Sequence, residues 1–175
     1  MNKTKNKRIL FYDAKKYDIE SFDNLKSKDI VFTYIESKLN EETVKFAKGY
    51  DGICVFVNDT VNQKVISKLK SYGIKLILLR CAGYNNVDIA FAKKKGIEVY
   101  RVPAYSPYAV AEHAFALLNT INRRTHKAYI RTREYNFSLE NLTGMDLYDK
   151  TIGIVGTGKI GKVMIDIAKG YKMNI

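Results

Sequence analysis

The strongest chemical signal in the chain is Gly156-Thr157-Gly158-Lys159-Ile160-Gly161, a turn of the form Gly-x-Gly-x-x-Gly. It follows an apolar run over 151–155 and leads into 162–168, whose pattern reads as a helix. Gly156 permits the tight turn, Gly158 lets a pyrophosphate come up to bare backbone, and Gly161 lets the helix pack closely on the strand. The amides of Thr157, Lys159 and Ile160 and those beside them then face the phosphates, with the positive end of a helix dipole behind them. The chemistry is capture of a dinucleotide by main chain. Three such glycines alone are weak; the strand before and the helix after make them specific.

Other reactive groups offer less. The two cysteines, Cys54 and Cys81, lie inside or just after apolar runs, outside any Cys-x-x-Cys pair and far in sequence from both histidines, His113 and His126. Buried reduced thiols are expected and no zinc site is legible. The densest basic cluster, Arg123, Arg124, His126, Lys127, Arg131 and Arg133, points several ways if helical, and the net charge of +12 is spread along the whole chain. Phosphate backbones need clustered cations, so nucleic acid is not an expected partner.

The turn needs a framework to hold it. A length of 175 residues can bury a core without disulfides, and 46% hydrophobic with 27% charged residues excludes a disordered chain. The longest apolar stretch, 109–121, is interrupted by Glu112, His113 and Asn119, short of the roughly 20 residues a membrane span needs. The apolar run after the basic amino terminus is too short for a secretory signal. No membrane partner and a cytoplasmic location are the expectations.

Short β-branched and aromatic runs at 8–12, 30–34, 52–57, 76–79 and 98–102 read as five strands. Helical periodicity fills the intervals at 17–25, at 41–48 behind Asn40, at 61–69 behind Asp59 or Thr60, and at 89–95 behind Asp88. Gly73 and Gly96 stand where helices end. The alternation predicts an α/β fold with a doubly wound parallel sheet. Pro103 and Pro107 interrupt it, and one long helix is predicted over 108–133. Two adjacent apolar stripes, Val110, Ala114, Leu117 and Ile121 beside Ala111, Phe115 and Leu118, predict burial on two sides by a second domain or subunit. A polar connection over 136–150 and a strand over 151–155 follow, with the domain boundary near 102–107. A dinucleotide site of this form also calls for an acidic residue about 20 positions after the first glycine. The last residue is Ile175, so a truncated product, a fragment or an interrupted gene is expected.

Three further stretches converge on one family: Arg80-Cys81-Ala82-Gly83-Tyr84-Asn85-Asn86-Val87-Asp88, then 101–114 with its Pro-Ala-Tyr-Ser-Pro core and Glu112-His113, then Leu142-Thr143-Gly144 before the glycine turn. Together, from Ile9 onward, the chain resembles the D-isomer-specific 2-hydroxyacid dehydrogenases, most closely the bacterial fermentative D-lactate dehydrogenases. The resemblance implies a flavodoxin-like substrate domain, 1–102, and over 103–175 a hinge, a long helix and the first β-α unit of a Rossmann domain that binds NAD. It implies reduction of pyruvate to D-lactate with NADH, in an enzyme that commonly forms homo-oligomers.

By the same resemblance, amides of the loop matching Ala82 and Gly83 hold the substrate carboxylate, Tyr105 lines the substrate and cofactor cleft, and Val110 borders the nicotinamide. Phe56 stands where some relatives carry a substrate-side tyrosine. His113 matches a Glu-His pair at the start of the long helix and is assigned a structural hydrogen-bonding role; His126 is assigned to solvent. Arg80 is not matched to the family's catalytic arginine, which with the histidine and glutamate of the same centre would lie beyond Ile175. Catalytic residues are therefore expected to be absent from these 175 residues. The alternatives are a dehydrogenase of another 2-oxo acid, and a non-catalytic remnant that binds an intact subunit.

Overall fold

The computed structural model describes residues 6–25 and 29–175, in two compact units, Met1–Tyr105 and Ser106–Ile175. The first is built on β1 (Lys7–Phe11), β2 (Ile30–Tyr34), β3 (Gly52–Val55), β4 (Leu76–Leu79) and β5 (Glu98–Arg101), all parallel, in the order β2-β1-β3-β4-β5. The winding reverses on either side of β1. A crevice therefore opens at the carboxyl ends of β1 and β3, the place where doubly wound sheets bind ligands.

Alternation along the strands divides the core in two. Leu10, Ile53, Val55, Ile77 and Leu79 face one cluster, which α2 (Gln63–Ser71) and α3 (Ile89–Lys94) complete with Val65, Ile66, Leu69 and Ala92. Ile9, Phe11 and Cys54 face the other, where α1 (Lys16–Asp23) lays down Ile19 and Phe22. Each fully buried Val, Leu or Ile contributes about 1.5–3 kcal/mol, so these faces fix the strand register. The caps are local. Asn62 Oδ1 accepts from the Val65 amide at 3.0 Å and Asp88 Oδ1 from that of Phe91 at 2.9 Å. Gly73 and Gly96 follow α2 and α3 at φ of 85° and 67°, conformations in which a Cβ would be strained.

Two expectations for this unit change. The segment predicted as a helix over 41–48 is a short 3-10 helix, Thr43–Ala47. Asn40 Oδ1 accepts from the amides of Glu42 and Thr43, both at 2.9 Å, and bends the chain into a turn that has no length in which to become α-helical. Asp59, expected as a cap candidate for α2, instead lies 2% exposed at the β3 end, accepting from the Leu39 and Phe56 amides at 2.6 Å each. Asn62 caps in its place.

The second unit contains α4 (Pro107–Arg123), α5 (Thr125–Arg133) and α6 (Lys159–Gly170). Ser106 Oγ accepts from the Ala109 amide at 3.2 Å, and Pro107 occupies the first turn. The single helix predicted over 108–133 is broken at Arg124, whose φ is 49°. Its guanidinium donates to the Asn141 carbonyl. Arg131 donates to the carbonyls of Ser138 and Glu140, so the connection after α5 is tied back to the helices by arginines rather than by apolar contact. Of the two stripes on α4, Ala111 and Phe115 are buried, with the Phe115 ring 4.7 Å from that of Tyr171 after α6. The other stripe is exposed in this single chain at Val110, Leu117 and Ile121. The strand predicted over 151–155 reduces to a single bridge, Thr151 to Asn174, because no other described segment lies alongside to extend a ladder. Among the described residues no helix is long and apolar enough to cross a membrane.

Asp59 gives the fold a testable fulcrum. Burial raises its pKa above the ordinary 3.8, outweighing the two backbone donors, which lower it. The folded state therefore holds that proton more tightly than the unfolded chain, and its contribution to stability falls as pH rises through the interval above 3.8. Asp59→Asn keeps one acceptor and turns an N–H toward the other backbone donor. Urea titrations should show the variant about 1–3 kcal/mol less stable at neutral pH and without that acid-side component.

Candidate functional site

Two stretches of uncommitted main chain stand out, one in each unit. In the first, β4 ends at Leu79 and the chain turns through Arg80, Cys81, Ala82 and Gly83 at the carboxyl edge of the sheet. Among the described residues, the amides of Ala82 and Gly83 donate to no protein acceptor. Gly83 is exposed, and a Cβ there would meet nothing nearer than Val57 at 3.9 Å. The loop is nevertheless held from several directions. Val102 N–H donates to the Cys81 carbonyl at 3.2 Å, Arg101 Nη1 to the Ala82 carbonyl at 3.0 Å, and the Cys81 thiol to the Gly83 carbonyl at 3.3 Å. The Arg101 guanidinium also lies over the Tyr84 ring at 5.0 Å. Farther along, Asn86 Nδ2 donates to the carbonyls of Phe56 and Asp59, both at 2.9 Å, joining this loop to the one after β3. Carbonyls turned into the protein leave amides turned out, an arrangement that receives a carboxylate or another anion.

Arg80 lies beneath this loop with its side chain only 9% exposed. Nη1 donates to the Tyr12 carbonyl at 3.1 Å, Nη2 to that of Asp13 at 2.8 Å, and Nε lies 3.4 Å from Asp18 Oδ1. The guanidinium lies over the rings of Phe11 and Phe56, at 4.6 and 4.7 Å from their centroids. Burial pushes the neighbouring Cys54 thiol up to about 12, and the cation beside it only partly offsets this; Cys81 is raised by burial as well. At both positions burial disfavours the thiolate, the nucleophilic form.

In the second unit, Gly156 has a φ of 96° and Gly158 caps α6 in extended conformation with no side-chain hydrogen bond. Among the described residues the amides of 156–161 find no protein acceptor. A Cβ on Gly158 would meet nothing within 4 Å, whereas one on Gly161 would collide with the Gly156 carbonyl. Gly158 leaves room in front of the backbone and Gly161 lets the helix start against the turn, the division of labour a pyrophosphate cradle needs. Thr157, Lys159 and Ile160 are exposed around it.

The remaining candidates are positioned as follows. Tyr105 is 64% exposed at the end of the first unit and Val110 41% exposed on the first turn of α4. Phe56 is half-buried against Arg80. His113 is exposed on α4 and, among the described residues, its side chain makes no hydrogen bond, where a structural hydrogen-bonding role was expected. His126 is exposed on α5. Sequence reasoning passed over Arg101, Asn86 and Asp59, the residues that shape the loop. A cation or amide directly bordering an apolar strand or a glycine turn is the signal that could have found them.

Residues 9–143 match the D-isomer specific 2-hydroxyacid dehydrogenase, catalytic domain, and residues 115–175 match the NAD binding domain of the same description. The chain is 48% identical to a 2-hydroxyacid dehydrogenase homolog of Haemophilus influenzae over 169 residues, 96% of this chain and 51% of that protein. It is 47% identical to a D-lactate dehydrogenase of Escherichia coli over 169 residues, with the same shares of 96% and 51%. The apo structure of D-lactate dehydrogenase from Escherichia coli superposes with a TM-score of 0.86 at 48% identity, covering 95% of this chain and 53% of that one. The chain thus spans about half the length of the relatives it matches.

The glycines and thiols are separable by experiment. Gly161→Ala should destabilise the second unit by about 1–3 kcal/mol, the cost of overpacking against backbone, while Gly158→Ala should unfold at the wild-type temperature; calorimetry on both variants distinguishes them. Cys54 should resist a disulfide reagent in the native chain at pH 8 and react promptly in denaturant, followed by thiol release.

Proposed function

This chain belongs to the D-isomer specific 2-hydroxyacid dehydrogenases, and on that premise we propose that it carries the two anion-binding backbones of an NAD-dependent D-lactate dehydrogenase. The supporting observation is the pair of uncommitted amide sets, at Ala82 and Gly83 and at the first turn of α6. Residues 1–102 act as the substrate domain and 103–175 as the hinge, helix and first β-α unit of the cofactor domain. The shares in the names of the relatives, D-lactate dehydrogenase among them, favour pyruvate and D-lactate over a larger 2-oxo acid.

In this reading the amides of Ala82 and Gly83 hold the carboxylate and so present the 2-oxo carbon in a fixed direction; orientation of this kind supplies a large share of a bimolecular rate. Tyr105, at the end of the first unit, is the aromatic of this reading on the substrate side, and Val110, on α4 of the second, is the residue assigned to the nicotinamide. The open backbone at Gly158 and the dipole of α6 receive the pyrophosphate, with Lys159 adding positive charge at the same turn. Bound NADH supplies the hydride. The reduction also needs a proton at the carbonyl oxygen, and neither His113 nor His126 matches the family's proton donor. Removing a general acid costs about 10²–10⁴ in rate. The 175 residues alone are therefore binding machinery without turnover. The exposed stripe of Val110, Leu117 and Ile121 fits contact with a second copy, and a cytoplasmic location fits the chemistry.

Two measurements test this. Pyruvate-dependent oxidation of NADH by the purified chain should not exceed the blank, and turnover approaching that of a full-length relative would refute the assignment of the missing acid. In an isotope-labelled sample, pyruvate should shift the amide resonances of Ala82 and Gly83 and NADH those of 156–161; silence at both places would remove the basis of the reading.

A further inference from the structure

An arginine that follows a strand directly before an anion-facing loop invites the role of carboxylate ligand. The structure argues otherwise. The guanidinium of Arg80 donates through Nη1 to the Tyr12 carbonyl and through Nη2 to the Asp13 carbonyl, its Nε stands 3.4 Å from Asp18 Oδ1, and it lies over the rings of Phe11 and Phe56. To reach a ligand it would have to move away from Asp18, leaving a carboxylate 10% exposed with only the Lys15 amide, 3.0 Å from its other oxygen, as a donor, a step that is unfavourable for buried charges.

What these contacts do is tie together the carboxyl ends of three strands. Tyr12 and Asp13 follow β1, Phe56 follows β3, and Arg80 itself follows β4 with its own amide donating to the Val55 carbonyl at 3.2 Å. Asp13 sits in the left-handed region at φ 49°, 4% exposed, a backbone shape that a residue with a Cβ keeps only when its surroundings hold it there. The Nη2 bond to its carbonyl and the 2.9 Å ion pair of its side chain with Lys15 hold it. One residue after Arg80 the chain enters Cys81, Ala82 and Gly83.

We propose that Arg80 is a positioning residue: through Asp18, Tyr12, Asp13 and the two rings it fixes the direction of the Ala82 and Gly83 amides, and it does not itself touch the bound 2-oxo acid. The inference rests on the reading of that loop as the carboxylate cradle. It deepens that reading, because it makes anion affinity depend on a carboxylate, Asp18, whose charge opposes the ligand's.

That opposition provides the test. Oxamate, an unreactive analogue of a 2-oxo acid, is titrated into the isotope-labelled full chain while the Ala82 and Gly83 amides are followed, in wild type, Asp18→Asn and Arg80→Lys, with thermal unfolding recorded for each. A direct ligand role for Arg80 requires Asp18→Asn to tighten binding, since the freed cation faces the anion with less competition. The positioning role requires the opposite. Asp18→Asn and Arg80→Lys should each weaken oxamate by about tenfold, the order of loss that small misplacements of a binding group produce, with the Gly83 amide already displaced in the ligand-free spectrum and the remaining resonances of the unit unmoved. Tighter binding in Asp18→Asn, or unchanged binding in Arg80→Lys, overturns the positioning role while leaving the cradle standing. If oxamate leaves both amides unmoved in wild type, the cradle itself falls and this inference with it. Should Arg80→Lys fail to fold, Asp18→Asn decides alone, because the two roles predict opposite signs for it.

Discussion

The guanidinium of Arg80 is the contact on which the carboxyl edge of the first unit depends. Parallel strands end in open backbone, and each strand end that does not continue into a ladder must place its carbonyls somewhere. Here two of those carbonyls, from Tyr12 and Asp13, are taken by one planar cation whose charge is met by Asp18. An ion pair in so dry a place contributes little net stability over an apolar substitute, yet breaking it by removing one member costs about 3–5 kcal/mol. Its value is geometric. It leaves the sheet edge one arrangement in place of several.

Both binding stretches are made of backbone, and the same physics appears in opposite forms. Along Cys81, Ala82 and Gly83 the carbonyls accept in turn from the Val102 amide, the Arg101 guanidinium and the Cys81 thiol, so the amides of Ala82 and Gly83 are left facing out. At the glycine turn the amides are free because Gly158 carries no capping side chain and Gly161 allows the helix to begin against the Gly156 carbonyl. Side chains define these sites by what they pull away or by their absence. That economy suits ligands recognised by charge at a fixed spacing.

Much of this was readable in the residues, and the failures have physical causes. Short β-branched and aromatic runs marked all five strands of the first unit, and the order β2-β1-β3-β4-β5 is the doubly wound arrangement that the alternation of strand and helix predicted. Gly73, Gly96 and Asp88 marked helix ends because their requirements are local. The break at Arg124 was hidden, since nothing in Arg123-Arg124-Thr125 resembles a glycine or proline signal and the cause is a carbonyl at Asn141, 17 positions away. Asp59 was misread for a similar reason: its two donors come from Leu39 and Phe56, and the first of these is not its neighbour in sequence. The strand at 151–155 has the right composition, but a strand exists only with a partner, and composition does not reveal one. Of the binding stretches, the glycine turn was legible because its constraint is steric and local; the supports of the Ala82 loop were not, because they are long-range.

The strand order also governs when the first unit can form as the chain emerges during synthesis. β1 is made first yet lies inside the sheet, paired on one side with β2 and on the other with β3, so its second edge waits until Val55 has appeared. Every later strand adds at one side only, β4 on β3 and β5 on β4, and the last of them ends at Arg101. Nothing in this sheet requires residues after that point. Growth is outward from an early interior strand, and the nascent chain can complete its first body while the second is still being translated.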